Sequence, residues 1–138
     1  MTVVTGRDAM VAGMAPVLRE GCFVFCTAPD LERFGADAIG LFREDEGWSA
    51  ILPLDRAVVL GFDCATPMRQ ITLQVFSALG GVGLTAAVAG ALAGAGIACN
   101  MVAAFHHDHA FVPAAHADRA LAMLQRLQAD IAVASSAD

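Results

Sequence analysis

The sequence predicts an α+β fold of two similar units, and three observations lead to it. Gln70, Thr72, Gln74 and Phe76 alternate with Ile71, Leu73, Val75 and Ser77, the period of a strand with one apolar face. Gly80, Gly81 and Gly83 then break the chain, and Val82–Ala95 follows as a helix of small residues. Two further strands, Ile97–Phe105 and Ala110–Pro113, meet around His106-His107-Asp108-His109 before a last alanine-rich helix, Ala114–Ile131. Strand, helix, strand, strand, helix is the order of a ferredoxin-like split unit whose fourth strand is short or missing. The first half offers a helix, three strands and a helical turn, a unit that lacks its first strand. Open sheet edges need a partner, so the two halves are expected to complete each other. The expected architecture is two βαββαβ-type units, side by side, with shared or exchanged strands. Residues 1–64 form an incomplete N-terminal unit and residues 65–138 the C-terminal one.

In chain order, Met1–Thr5 reads as a frayed terminus. Arg7–Leu18 carries Met10, Val11, Met14 and Val17 at helical spacing, a core-facing stripe, with Asp8 suited to the start of a helix. Pro16 stops that helix by Ala15. Cys22–Ala28 is a strand-like run ended by Pro29-Asp30, and Leu31–Asp37 is a mixed connection. Ala38–Arg43 and Trp48–Leu52 are strands joined by the polar turn Glu44-Asp45-Glu46-Gly47. Successive carboxylates on a turn point different ways, so this tip is read as solvated, not as a metal loop. Leu54–Leu60 is a short helical turn with Asp55 and Arg56 exposed, and Gly61–Met68 links the halves. Leu84, Val88, Leu92 and Ala95 form the inward stripe of the third-quarter helix, which Gly94 and Gly96 close. In the last helix Ala120, Leu124, Leu127 and Ile131 face inward, while Asp118, Arg119, Arg126 and Asp130 are solvated. Ile131–Asp138 is a tail or a short final strand.

Composition narrows the function. The 138 residues are 57% hydrophobic, much of it Ala and Val, enough for a core without staples. Net charge is −6 and lysine is absent, so a phosphate backbone finds no basic cluster and nucleic-acid binding is not expected. Ile71–Phe105 lies within the longest charge-free run. Its strand alternation, early glycines and Asn100 argue for a buried crossover helix, not a membrane span. Cys22, Cys26, Cys64 and Cys99 form no CxxC pair and read as small buried hydrophobes in a reducing, cytoplasmic compartment. Met1–Val11 carries Arg7 and Asp8 where a secretory signal needs an apolar core.

Several stretches together resemble a known family. They are Met14-Ala-Pro-Val-Leu, Gly21, Phe23–Thr27, Glu44–Gly47, the run from Gln70 through Leu79, Val82–Ala89, Ala95-Gly-Ile, Asn100, and Phe105-His-His-Asp-His-Ala-Phe-Val-Pro113. They resemble small tandem ACT-domain proteins over nearly the whole chain, most specifically in His-Asp-His-Ala-Phe-Val-Pro. The resemblance implies two ferredoxin-like ACT units and a regulatory module that binds amino acids or other small metabolites at unit or subunit interfaces. The chain departs from the family at Trp48 and in its alanine-rich helices, changes that leave the fold alone and bear on a pocket.

Two candidate sites follow. At the glycine turn, Gly81, Val82 and Gly83 precede or open a helix, where unpaired N–H groups and the dipole favour an anion. A carboxylate gains about 0.3–1 kcal/mol there, too little alone to hold a metabolite. Ser77 and Asn100 add polar groups, and in ACT domains this strand-to-helix loop often contributes to binding. The candidate ligand site is therefore Ser77, Leu79, Gly80, Gly81, Val82, Gly83, Leu84 and Asn100. The alternative is a turn that only permits close packing. The second candidate is the ligand-lining set His106, His107, Asp108 and His109. Strand alternation keeps the four from converging, so a structural hairpin is favoured over a metal site. No catalytic set, metal or cofactor is expected. The predicted function is a non-enzymatic amino-acid sensor, a homodimer in the cytoplasm. The other readings are a docking module without a ligand and a histidine-lined metal hairpin.

Overall fold

The computed structural model describes residues 6–75 and 81–136. The chain groups into two compact units that divide at Arg19/Glu20 and Arg69/Gln70. The segment through Arg19 thus belongs with the second half, whereas the expected units were 1–64 and 65–138.

The first unit contains α1 (Arg7–Ala12), β1 (Pro16–Leu18), most of β5 (Met68–Leu73), α3 (Leu84–Gly94), β6 (Asn100–Ala103), β7 (Asp108–Pro113) and α4 (Ala117–Ser136). Its strands run in the order β1-β5-β7-β6. β1 is antiparallel to β5, with Val17 opposite Thr72, and β6 is antiparallel to β7, with Ala103 opposite Asp108. The missing fourth strand of the second half is β1, supplied from upstream.

β1 corrects the reading of Val17 as part of a helical stripe. Gly13 ends α1, Ala15 takes φ 42°, and Pro16 starts the strand. Met10, Val11 and Met14 remain buried as expected. They pack with Ile71, Leu73, Leu84, Val88, Leu92, Ala110, Val112, Ala120 and Leu124 in one core between helices and sheet. Arg119 donates to the Ala95 carbonyl, and Gln128 to that of Ala12, so α4 caps the ends of α3 and α1. The expected tail after Ile131 is instead helix to Ser136, because no glycine or proline interrupts it.

The second unit contains β2 (Phe23–Ala28), a 3-10 turn (Leu31–Phe34), β3 (Gly40–Glu44), β4 (Gly47–Pro53) and α2 (Leu54–Val59). β4 lies between β3 and β2, antiparallel to both, and Phe23 also pairs with Met68 at the start of β5. Val24, Cys26, Ala28, Phe34, Ala50, Leu52 and Ala57 make its core. The crossover element here is a single 3-10 turn, and Phe34 is its buried residue.

Among the described residues no helix is long and apolar enough to cross a membrane.

Candidate ligand cavity

Gly81, Val82 and Gly83 lead into α3. Gly83 is the residue before α3 and holds φ 106°, a conformation few L side chains adopt. A Cβ there would lie 2.9 Å from Arg7 Cγ. α3 has no side-chain cap at its N-terminus and no acidic residue in its first turn. Backbone donors of that turn are thus left to other acceptors.

A cavity of about 470 Å³ opens beside this turn. Gly81, Val82, Gly83, Leu84, Thr85 and Ala86 form one wall; Ala103, Ala104 and Asp108 from the β6–β7 hairpin form another, and Met10 contributes from α1. Asp108 is only 8% exposed. Ala110 and Val112, on the same side of β7, reach the helix-side core, so strand alternation sends Asp108 to the cavity and His109 to the opposite face.

The histidines therefore separate. Ala104 N–H donates to the His107 carbonyl, which makes Ala104–His107 the hairpin turn. His106 sits exposed on this turn, edge-on to Phe105 at 5.1 Å. On the helix-free face Arg19 Nε donates to Thr72 Oγ1 at 3.0 Å. Thr72 Oγ1 donates to His109 Nδ1 at 3.0 Å, and Gln70 Nε2 donates to the same nitrogen at 3.1 Å. Two donors on Nδ1 require a neutral ring with its proton on Nε2. Burial, then the neighbouring His107 and Arg19, push the His109 pKa below its ordinary value, against a smaller opposing pull from Asp108.

A pH dependence follows from this shift. The unfolded chain takes up the His109 proton first, so it binds more protons than the folded chain as pH falls through about 6.5. Stability contributed by neutral His109 is present above that pH and is lost below it, toward the lower folded pKa. Thermal midpoints should fall between pH 7.5 and 5.5, and His109→Asn, which keeps an acceptor but does not titrate, should flatten the slope. An unchanged slope would mean that another group is responsible.

Of the predicted ligand residues, Gly81, Val82, Gly83 and Leu84 line the cavity, and Ser77, Leu79 and Gly80 lie outside the described residues. Asn100 starts β6 opposite Phe111, three residues from Ala103, and does not line it. Asp108, named only with the histidines, joins it. Met10, Thr85, Ala86, Ala89, Ala103 and Ala104 line it as well, and apart from Thr85 they carry no polar signal in the sequence. Among the described residues no three His, Cys, Asp or Glu side chains gather to hold a metal ion. All four cysteines are free thiols, and burial raises the pKa of Cys26 and Cys99, which disfavours the thiolate.

Ferredoxin-like units with an open cavity beside the turn into α3 define a small α+β module. Sequence comparison gives the family: the chain belongs to the ACT-domain proteins, as a tandem pair, with ACT-domain models matching residues 5–69 and 66–126. A solved protein of unknown function from Vibrio cholerae, described as a possible transport protein, is 36% identical. That match covers 88% of this chain and 94% of the other, with a TM-score of 0.79. An Agrobacterium tumefaciens protein is similar at TM-score 0.65 and 17% identity, over 82% of this chain and 87% of its own. The regulatory subunit of aspartate kinase from Thermus flavus shares the fold at TM-score 0.55 and 13% identity, over 81% and 95%. No curated protein matches the chain.

Proposed function

We propose that this protein is a non-catalytic regulatory sensor that binds an amino acid in the cavity at the start of α3. One observation carries the reading: the uncapped first turn of α3 and the buried carboxylate of Asp108 border the same 470 Å³ space. The helix end suits a ligand carboxylate. Asp108 offers oxygen acceptors for an ammonium group, and Met10, Val82 and the alanines accept an aliphatic part. Binding regulates only if two arrangements of the protein differ in affinity for the ligand.

Thermal unfolding against the twenty amino acids, common nucleotides and divalent metals tests this. A ligand at a hundred times its dissociation constant adds about 2.7 kcal/mol, which is roughly ten degrees for a chain of this size. The reading expects one amino acid to produce that shift and Asp108→Asn to remove it. A shift by metal alone moves the site to the histidines, and no shift from any compound leaves a docking module as the better reading.

A homodimer in the cytoplasm belongs to the same proposal. β3 is an edge strand, and Leu41 and Phe42 on it are 50% and 72% exposed. Unpaired strand edges with apolar side chains favour pairing with a second copy. Sedimentation at micromolar concentration should show a dimer that Phe42→Lys weakens; a monomer in the unsubstituted protein discards it.

A further inference from the structure

The second unit brings two thiols to one core. Cys26 is on β2, is 8% exposed, and belongs to that core with Phe34 and Ala57. Cys64 lies in the connection before β5, half-buried, and packs against the same core. Its neighbours hold that connection in place. The Phe62 ring stacks on Phe34, with centroids 5.6 Å apart and planes 21° from parallel. Asp63 accepts the backbone N–H of Ala65 at 2.9 Å, a turn with Cys64 at its centre.

A cavity of about 540 Å³ opens beside the two thiols. Cys26 lines it together with Arg33, Phe62 and Asp63, the last two being the residues just before Cys64. The cavity admits a small oxidant to this part of the core. Arg33 lies with its guanidinium carbon 4.1 Å from the centroid of the Phe62 ring, so the cation rests on a column of two rings. Charge also links the thiols. Burial raises the Cys26 pKa most and the Cys64 thiolate next, against a pull from Arg33 and with a smaller push from Asp63. Cys64 thus acts on Cys26 more strongly than Arg33 or Asp63 does. The remaining cysteines stand apart. Cys22 precedes Cys26 by four residues, about 13 Å along an extended chain. Cys99 packs on the core of the first unit.

We propose that Cys26 and Cys64 are a redox pair that a peroxide converts to a reversible disulfide, tying β2 to the connection before β5. The Cys64 thiolate attacks one peroxide oxygen, the O–O bond breaks and hydroxide leaves, giving a sulfenic acid on Cys64. That step removes the negative charge that opposes ionisation of Cys26. Cys26 then attacks the Cys64 sulfur, and the S–S bond forms. The sulfenic oxygen leaves as water with the Cys26 proton. Two thiols are oxidised and one peroxide is reduced to two waters. A dithiol reverses the bond by exchange. The pair is independent of the cavity beside α3, so either proposal can fail without the other.

Equimolar hydrogen peroxide on the whole protein, followed by alkylation of the thiols that remain, tests this. Two of the four cysteines should escape alkylation, and dithiothreitol should expose them again. The chain has no lysine, so trypsin cuts after arginine and leaves Cys26 in residues 20–33 and Cys64 in residues 57–69. In Cys22→Ser protein those two peptides should be recovered linked. Cys26→Ser or Cys64→Ser should abolish the link, whereas Cys99→Ser should leave it. The closed loop restricts the unfolded chain, so the oxidised protein should unfold at a higher denaturant midpoint. The proposal is overturned if Cys64 proceeds to a sulfinic acid without a link, or if Cys22→Ser removes the link. It is equally overturned if the link runs to Cys99 or between chains, if it forms only in urea, or if the oxidised midpoint is no higher.

Discussion

Phe34→Ala is expected to destabilise the protein by about 3–5 kcal/mol, the range for removing a fully buried aromatic side chain. Phe34 is the only residue of the 3-10 turn that is buried, and it packs with Val24, Cys26, Leu52 and Ala57. A full helix would spread that burial over several side chains; here one ring carries it. The same ring supports Phe62, and through it Arg33. Truncation should therefore lower the denaturant midpoint of the second unit and also free the guanidinium. Phe34→Leu keeps most of the volume and should cost less than half as much, because the cavity left behind is smaller. Chemical denaturation followed by Trp48 fluorescence reports on this unit directly, since Trp48 packs against its core. A loss below about 1 kcal/mol for Phe34→Ala would show that the turn is not the plug of this core.

Gly47→Ala is the second large effect, expected at about 2–4 kcal/mol. Gly47 pairs with Glu44 across the β3–β4 turn and holds φ 137°. An alanine in so sparsely populated a conformation costs about 1–3 kcal/mol by itself. A Cβ here would also lie 2.9 Å from the carbonyl oxygen of Ala28. That atom is backbone, and Ala28 is tied to Trp48 in the sheet, so it cannot swing aside as a flexible side chain can. Relief requires movement at the joined ends of β2 and β4. Glu46→Ala at the exposed tip is the control and should stay within about 0.5 kcal/mol. Equal midpoints for the two variants would mean that the hairpin adapts freely.

Much of the fold was legible because burial repeats with the period of the backbone. The stripe Leu84, Val88, Leu92 and the stripe Ala120, Leu124 are buried as their spacing required. The apolar run of β2 and the polar turn before Gly47 likewise stand where composition put them. Pro16 ended the first helix ahead of Val17, yet no local signal made Val17 part of a strand. Its partner is Thr72, far along the chain, and local pattern carries no record of that pairing.

The candidate site divides in the same way. Gly81, Gly83 and the start of α3 were visible, since a glycine cluster before a helix has a local cause. Alternation alone implied that Asp108 and His109 part to opposite faces. Which face meets a cavity depends on where α1 and α3 lie, and that is set by packing. Asp108 enters the cavity because Ala103 and Ala104 leave room beside it, and His109 meets Arg19 and Thr72 because β1 and β7 flank β5. The sequence by itself determined the class of fold, the buried faces and the turns, all of which follow from the nearest few residues. The tertiary structure alone decided which segment supplies the last strand, which carboxylate borders each cavity and which arginine rests on an aromatic column. Those outcomes depend on contacts between residues distant in the chain, whose free energy no local spacing encodes.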